Sequence, residues 1–181
     1  MLRIAWCITG CGDKLPEVVD LMIKLKKKYN LDVDVYLSKN AKVVVKWYKL
    51  WNKLEEEFGK IKVEIDSNAP FLAGKLQTGK YDILLVAPAT ANTTAKIAHG
   101  IADTLITNSV AQAMKVRMPV YIFPPDNKEG ELTTLLPNGK TLTLYIRKID
   151  VENVNKLREM EGIEVLEKVE DIEKAILNHI K

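Results

Sequence analysis

Short apolar runs alternate with longer stretches of helical periodicity along almost the whole chain. Residues 2–8 are apolar except for Arg3 and run into Thr9-Gly10-Cys11-Gly12, which predicts a strand closed by a tight turn. Residues 15–29 carry Val18, Val19, Met22, Ile23 and Leu25 at helical spacing, and Pro16 suits a first turn. A second short strand follows at 33–37. Residues 43–58 predict one amphipathic helix, with Trp47, Leu50, Trp51, Leu54 and Phe58 on a common face and Gly59 as its stop. Residues 61–65 alternate as a strand, and 71–78 form a short helix before Gly79. Ile83-Leu84-Leu85-Val86-Ala87 is unbroken, as a central parallel strand buried on both faces requires. Two helices, at about 93–100 and 109–115, lead to a strand at 120–123.

This repetition predicts an α/β fold: a doubly wound, Rossmann-like parallel sheet with helices on both faces. The pattern changes after Pro124-Pro125. Segments 132–136 and 141–147 flank Asn138-Gly139, the strongest short-range hairpin signal. Helices at 151–160 and 169–180 surround a short strand at 163–166. We read these as a C-terminal hairpin-and-helix extension of one domain, residues 1–124 being its core, because no flexible linker intervenes.

Composition narrows the class. With 181 residues and 47% of them hydrophobic, the chain can bury a core without disulfides or a structural metal. No apolar run approaches the roughly 18 residues of a membrane-spanning helix. The N-terminus lacks the basic-then-apolar design of a signal peptide, so the expected compartment is the cytoplasm, with no membrane partner. A net charge of +3, without clustered arginines, argues against nucleic acid. Cys7, Cys11, His99 and His179 supply neither a disulfide framework nor a metal or iron–sulfur ligand set.

In open α/β sheets, ligands bind beyond the carboxyl ends of the strands. The first such loop, Thr9-Gly10-Cys11-Gly12-Asp13, lets backbone approach an anion at a helix N-terminus; glycine serving only a tight turn is the equal alternative. Cys11 stands equally as a ligand neighbour or as a small turn residue. The dinucleotide fingerprint is incomplete, since Leu15 stands where a third glycine belongs and Ser38 ends the second strand in place of an acid. NAD is therefore disfavoured. The third loop, Pro88-Ala89-Thr90-Ala91-Asn92-Thr93, is the informative one. Its small residues leave room for a flat ligand, and Thr90, Asn92 and Thr93 offer hydrogen-bonding groups. Asn92 is also a candidate helix cap, as is Asp103 further on.

These residues resemble the P-A-S-A-N-T motif of the homo-oligomeric flavin-containing cysteine decarboxylase superfamily, and Ala95-Lys96-Ile97-Ala98-His99-Gly100-Ile101-Ala102-Asp103 extends the match. The chain is most similar to the archaeoflavoprotein branch, related to acceptor-type dihydromethanopterin reductases, through Thr9–Asp13 and Leu76-Gln77-Thr78-Gly79-Lys80-Tyr81-Asp82. The resemblance implies the flavoprotein fold and an FMN held by Thr9, Gly10, Cys11, Gly12, Ser38, Pro88, Ala89, Thr90, Asn92, Thr93 and Asn108. It further implies homo-oligomers, usually built from trimers, with FMN between subunits, and ferredoxin and a pterin as electron donor and acceptor. Departures point away from decarboxylation. Pro124-Pro125-Asp126-Asn127-Lys128 carries Asp126 where a substrate-gripping Met is expected, and 66–82 lacks the expected His. Arg117 is the sole arginine between Arg3 and Arg147, which also disfavours prenyl-phosphate chemistry. The expected function is an FMN-dependent oxidoreductase, with a flavin carrier or a lyase as alternatives. Cys7 is read as core. The Trp47–Leu54 stripe and the small-residue helix around Ser109–Ala113 are read as surfaces for a partner subunit.

Overall fold

Alternation within each strand decides which face of the sheet a side chain covers. In β1 (Arg3–Ile8), Ile4, Trp6 and Ile8 join one apolar layer while Ala5 and Cys7 join the other. The same division runs through β2 (Asp32–Leu37). The short β3 (Lys62–Val63) extends the sheet beside β2 and is less regular than the alternation at 61–65 predicts. In β4 (Ile83–Val86) and β5 (Val120–Ile122) every residue is buried, as the unbroken apolar run at 83–87 requires. Two antiparallel strands, β6 (Gly130–Leu135) and β7 (Thr141–Ile146), make the hairpin around Asn138-Gly139, and β8 (Ile163–Val165) follows. The computed structural model describes residues 1–180.

The six parallel strands lie in the order β3-β2-β1-β4-β5-β8. Helices α1 (Leu15–Tyr29), α2 (Lys39–Trp47) and α3 (Trp51–Phe58) cover one face. Helices α4 (Ala73–Gln77), α5 (Ala91–Ala98), α6 (Leu105–Lys115) and α7 (Lys148–Arg158) cover the other, and α8 (Asp171–Leu177) returns to the first. The expected doubly wound α/β sheet is therefore present. Only the hairpin stands outside it, because β8 joins the sheet beside β5 and α7 and α8 flank it.

One expected helix is two. The 43–58 segment breaks at Tyr48-Lys49-Leu50, where Lys49 takes a left-handed φ of 58°. The Leu50 N–H donates to the Val45 carbonyl at 2.9 Å and the Lys49 N–H to that of Lys46 at 3.0 Å, the paired bonds of a Schellman ending. Such an ending normally announces itself with Gly or Asn; a lysine gives no warning. The break rotates the stripe apart. Leu54 is buried, whereas Trp47 is 54% exposed. The first half also begins earlier than expected, at Lys39, because the Ser38 side chain accepts from the Ala41 N–H at 3.0 Å and caps it. On α6, Ser109, Val110 and Ala113 are buried within their own chain, so that helix is not the free small-residue face expected.

Candidate functional site

Strand order reverses between β1 and β4, which makes the crevice beyond their carboxyl ends the place for a ligand. The loops there are fastened to one another. The Thr9 N–H and hydroxyl donate to the Pro88 carbonyl at 3.2 and 2.9 Å, and Thr9 Oγ1 accepts from the Thr90 N–H at 2.8 Å. The Ala89 N–H donates to the Phe123 carbonyl at 2.8 Å, which ties in the loop after β5. Thr9, Pro88 and Ala89 are buried; Thr9 lines the cavity described next, whereas Pro88 and Ala89 lie outside it.

A cavity of about 390 Å³ brings together Thr9, Gly10, Ser38, Thr90, Asn92 and Thr93. The N-termini of three helices converge on it. Ser38 caps α2, Thr90 caps α5 through the Thr93 N–H at 3.1 Å, and Thr104 caps α6 in a reciprocal box with Thr107. The expected caps Asn92 and Asp103 are corrected by these bonds. Thr90 and Thr104 hold the extended backbone that a cap needs; Asn92 already lies inside α5, and Asp103 instead pairs with Lys96 at 2.8 Å. That hydrogen bond from Lys96 holds the Asp103 carboxyl below its usual range. First-turn N–H groups of a helix have no intrahelical acceptor and carry its positive dipole end. The caps take one in each helix, and the Glu64 carboxylate takes one more in α2 and in α6. The remainder face the cavity's end of each helix, where an anion is favoured.

Gly10 makes the approach of α2 possible. A Cβ there would lie 2.8 Å from Asn40 Cβ, too near for any side chain, while the φ of Gly10 is not in the left-handed region. The glycine is required by close packing rather than by turn conformation. Gly12 has the same character against a different neighbour, since its Cβ would meet the Tyr48 hydroxyl at 2.7 Å. Gly12 and Cys11 lie outside the cavity. The Cys11 thiol donates to the Asp13 carbonyl at 3.6 Å, and burial, with Asp126 and Asp13 adding, pushes it up to about 12, so it is a thiol and not a thiolate at neutral pH. Asn108 is also outside: its amide donates to the Ser67 carbonyl at 3.0 Å and to Asn68 Oδ1 at 3.2 Å, bracing the loop between β3 and α4.

Sequence reasoning missed Glu64. Its carboxylate accepts from the Lys39 N–H at the start of α2 and from the Leu105 N–H at the start of α6, both at 3.0 Å. One side chain at the end of the third strand thereby sets the spacing of two helices that wall the cavity. The only signal for it was a lone acid at a strand end, which has many ordinary explanations. His99, exposed just after α5, bonds Asn153 at 3.1 Å and lies outside the cavity. Among the described residues no cluster of three metal-ligating side chains occurs, and no helix is long and apolar enough to cross a membrane.

The cavity fits a phosphate-bearing cofactor on its own geometry: three helix N-termini meet there, and the small or hydroxyl-bearing residues Gly10, Ser38, Thr90 and Thr93 line it. Comparison with known proteins agrees. An uncharacterised protein of Methanocaldococcus jannaschii is 76% identical over 181 residues, covering 100% of this chain and 97% of the relative. A dihydromethanopterin reductase (acceptor) of the same organism is 32% identical, covering 91% of this chain and 92% of the relative. The crystal structure of Burkholderia xenovorans DmrB in complex with FMN, described as a cubic protein cage for redox transfer, superposes with a TM-score of 0.84 at 31% identity, over 98% of this chain and 94% of that one. The Flavoprotein family model matches residues 1–181, and the chain belongs to that family.

Proposed function

We propose that this Flavoprotein family member is an FMN-dependent oxidoreductase that takes electrons from a small carrier, ferredoxin being the proposed donor, and passes them to a reduced-pterin acceptor. The observation that carries the reading is the cavity at the β1/β4 switch, where Gly10, Ser38 and the capped starts of α2, α5 and α6 meet. The FMN phosphate is assigned to Ser38, the Gly10 backbone and the first turn of α2; Thr90, Asn92 and Thr93 are assigned to the flavin's polar edge. FMN supplies the redox chemistry when bound, and the protein binds, orients and tunes it. This accounts for a site without a cluster of metal-ligating side chains among the described residues. Asp126 in place of the expected Met and the missing His between β3 and β4 argue against the decarboxylase alternative.

We also place the flavin at an interface between copies of the chain. The reading is supported by apolar side chains left uncovered in the segment after β3, with Ile65 69% and Phe71 65% exposed. A closed cyclic assembly would bury them without a growing edge. The protein should purify yellow, and mass spectrometry of the released cofactor should identify FMN; a nicotinamide alone would end the proposal. Removing FMN should loosen the oligomer in analytical ultracentrifugation, since binding and association are then linked.

A further inference from the structure

Three lysines of the helices beside α2 are paired: Lys27 meets Glu57 at 2.7 Å, Lys28 meets Glu173 at 2.9 Å and Lys53 meets Asp20 at 2.6 Å. Helix α2 and the turn after it differ. No acid occurs between Ser38 and Leu54, against five lysines. Lys39, Lys42, Lys46 and Lys49 are exposed, and none has a carboxylate partner among the described residues. Lys46 lies over the Trp51 ring instead, 5.0 Å from its centre. Lys39, Lys42 and Lys46 follow one another at spacings of three and four, which puts them on one stripe of the helix, where like charges repel. Lys39 also stands in the first turn, where the helix dipole disfavours a cation; α1, by contrast, opens on Glu17 and closes on Lys26, Lys27 and Lys28. Lys39 lines the cofactor cavity, so an anion there would answer it. Nothing within the chain answers Lys42, Lys46 and Lys49. Beside the stripe, Val43 and Trp47 lie four apart and are 68% and 54% exposed. An aromatic side chain with an apolar neighbour, rimmed by charge, is the anatomy of a protein-binding hot spot.

We propose that the outer face of α2 docks a partner protein that presents carboxylates around an apolar centre. Such a partner turns the repulsion along the stripe into attraction and covers Trp47 and Val43. Charge separates it from the other occupants. A second copy meeting this face symmetrically would set lysines against lysines. A nucleic-acid strand would bring its phosphates toward Glu55 and Glu56, exposed on the adjoining α3, whereas the carboxylates of a protein can be placed to miss them. Helix α2 is nine residues long, about 14 Å, and starts beside Ser38, so a docked partner lies within about that distance of the cofactor cavity. The face therefore suits an acidic form of the electron carrier proposed above, and it rests on that reading for the partner's role, though not for docking.

The test titrates FMN-loaded protein with an acidic ferredoxin, in its oxidised form, by isothermal calorimetry. Binding should be saturable at low salt and about tenfold or more weaker at about 0.5 M salt, where exposed charges are screened. Trp47→Ala should weaken it by a similar factor. Lys42→Glu sets an acid four positions before Lys46, the order that stabilises a helix, and moves negative charge toward the helix start. Its melting temperature should therefore rise while its ferredoxin affinity falls about tenfold. A helix face that only meets water would show the first change without the second. No ferredoxin binding, affinity indifferent to both substitutions, or tighter binding of polyadenylate RNA would overturn the proposal. So would a change in oligomer mass on Lys42→Glu, which would assign the face to a second copy. Failure to bind FMN would instead overturn the oxidoreductase reading, and the same titration on flavin-free protein would still decide docking.

Discussion

The two sides of the β1 loop differ in how their polar groups are spent. On the Thr9 side, the hydroxyls of Thr9, Ser38 and Thr90 and the carboxylates of Glu64 and Asp103 all have partners within the chain. On the Asp13 side, a carboxylate oxygen is buried with none. The first arrangement fixes its walls before any ligand arrives, as a seat for a resident cofactor should. The second leaves one carboxylate oxygen, Asp13 Oδ2, enclosed without a partner. The contrast is built from one stretch of sequence, since Thr9 and Asp13 are four positions apart.

Three substitutions probe it, in order of expected effect, with Gly12→Ala as the paired control for the first. Gly10→Ala forces a Cβ against Asn40, whose own Cβ cannot swing aside, and should cost up to about 3 kcal/mol with loss of flavin binding. Gly12→Ala meets only the Tyr48 phenol, which can rotate away from its bond to the Leu135 carbonyl, so its melting temperature should stay near wild type. Equal losses for the two glycines would erase the distinction between the sides. Glu64→Gln keeps one helix bond and turns an amide donor toward the other N–H, so chemical denaturation should report a loss of about 1–3 kcal/mol. Thr104→Ala removes one cap and should cost about 1 kcal/mol in the same assay.

A fourth effect, on the Asp13 side, runs the other way. Burial, helped by Asp150 and Asp13 and opposed by Arg147, raises the Asp126 carboxyl above its ordinary range. An acid raised in the folded state favours folding while it is protonated, and that contribution is lost as pH rises through the folded value. Asp126→Asn should therefore raise the melting temperature at neutral pH, with a gain that fades toward about pH 4, the ordinary carboxylate range. A gain independent of pH would show that charge is not its source.

How much of this was legible follows from local physics. Period-2 alternation and the unbroken 83–87 run are local signals, so the sheet and its two covering layers could be read from the chain. So could the loops that meet at the switch point, because Gly10, Ser38 and Thr90–Thr93 each end a strand. The split of the 43–58 helix could not, since Lys49 adopts a conformation that its residue type does not advertise. The entry of β8 into the main sheet depends on pairing with a strand 43 residues earlier, beyond the reach of local sequence patterns. Glu64 was hidden for the same reason: its meaning lies in two N–H groups, 25 positions before it and 41 after.

The central claim is that the cavity at Ser38 and Gly10 seats the phosphate of FMN. Affinities of FMN and riboflavin, which differ only in that phosphate, test it directly when measured by flavin fluorescence on the wild type and on Ser38→Ala. The account predicts that the wild type prefers FMN by about a hundredfold or more, as expected for several charge-assisted bonds, and that Ser38→Ala lowers FMN affinity about tenfold while riboflavin is unaffected. Equal affinity for the two flavins in the wild type would contradict it.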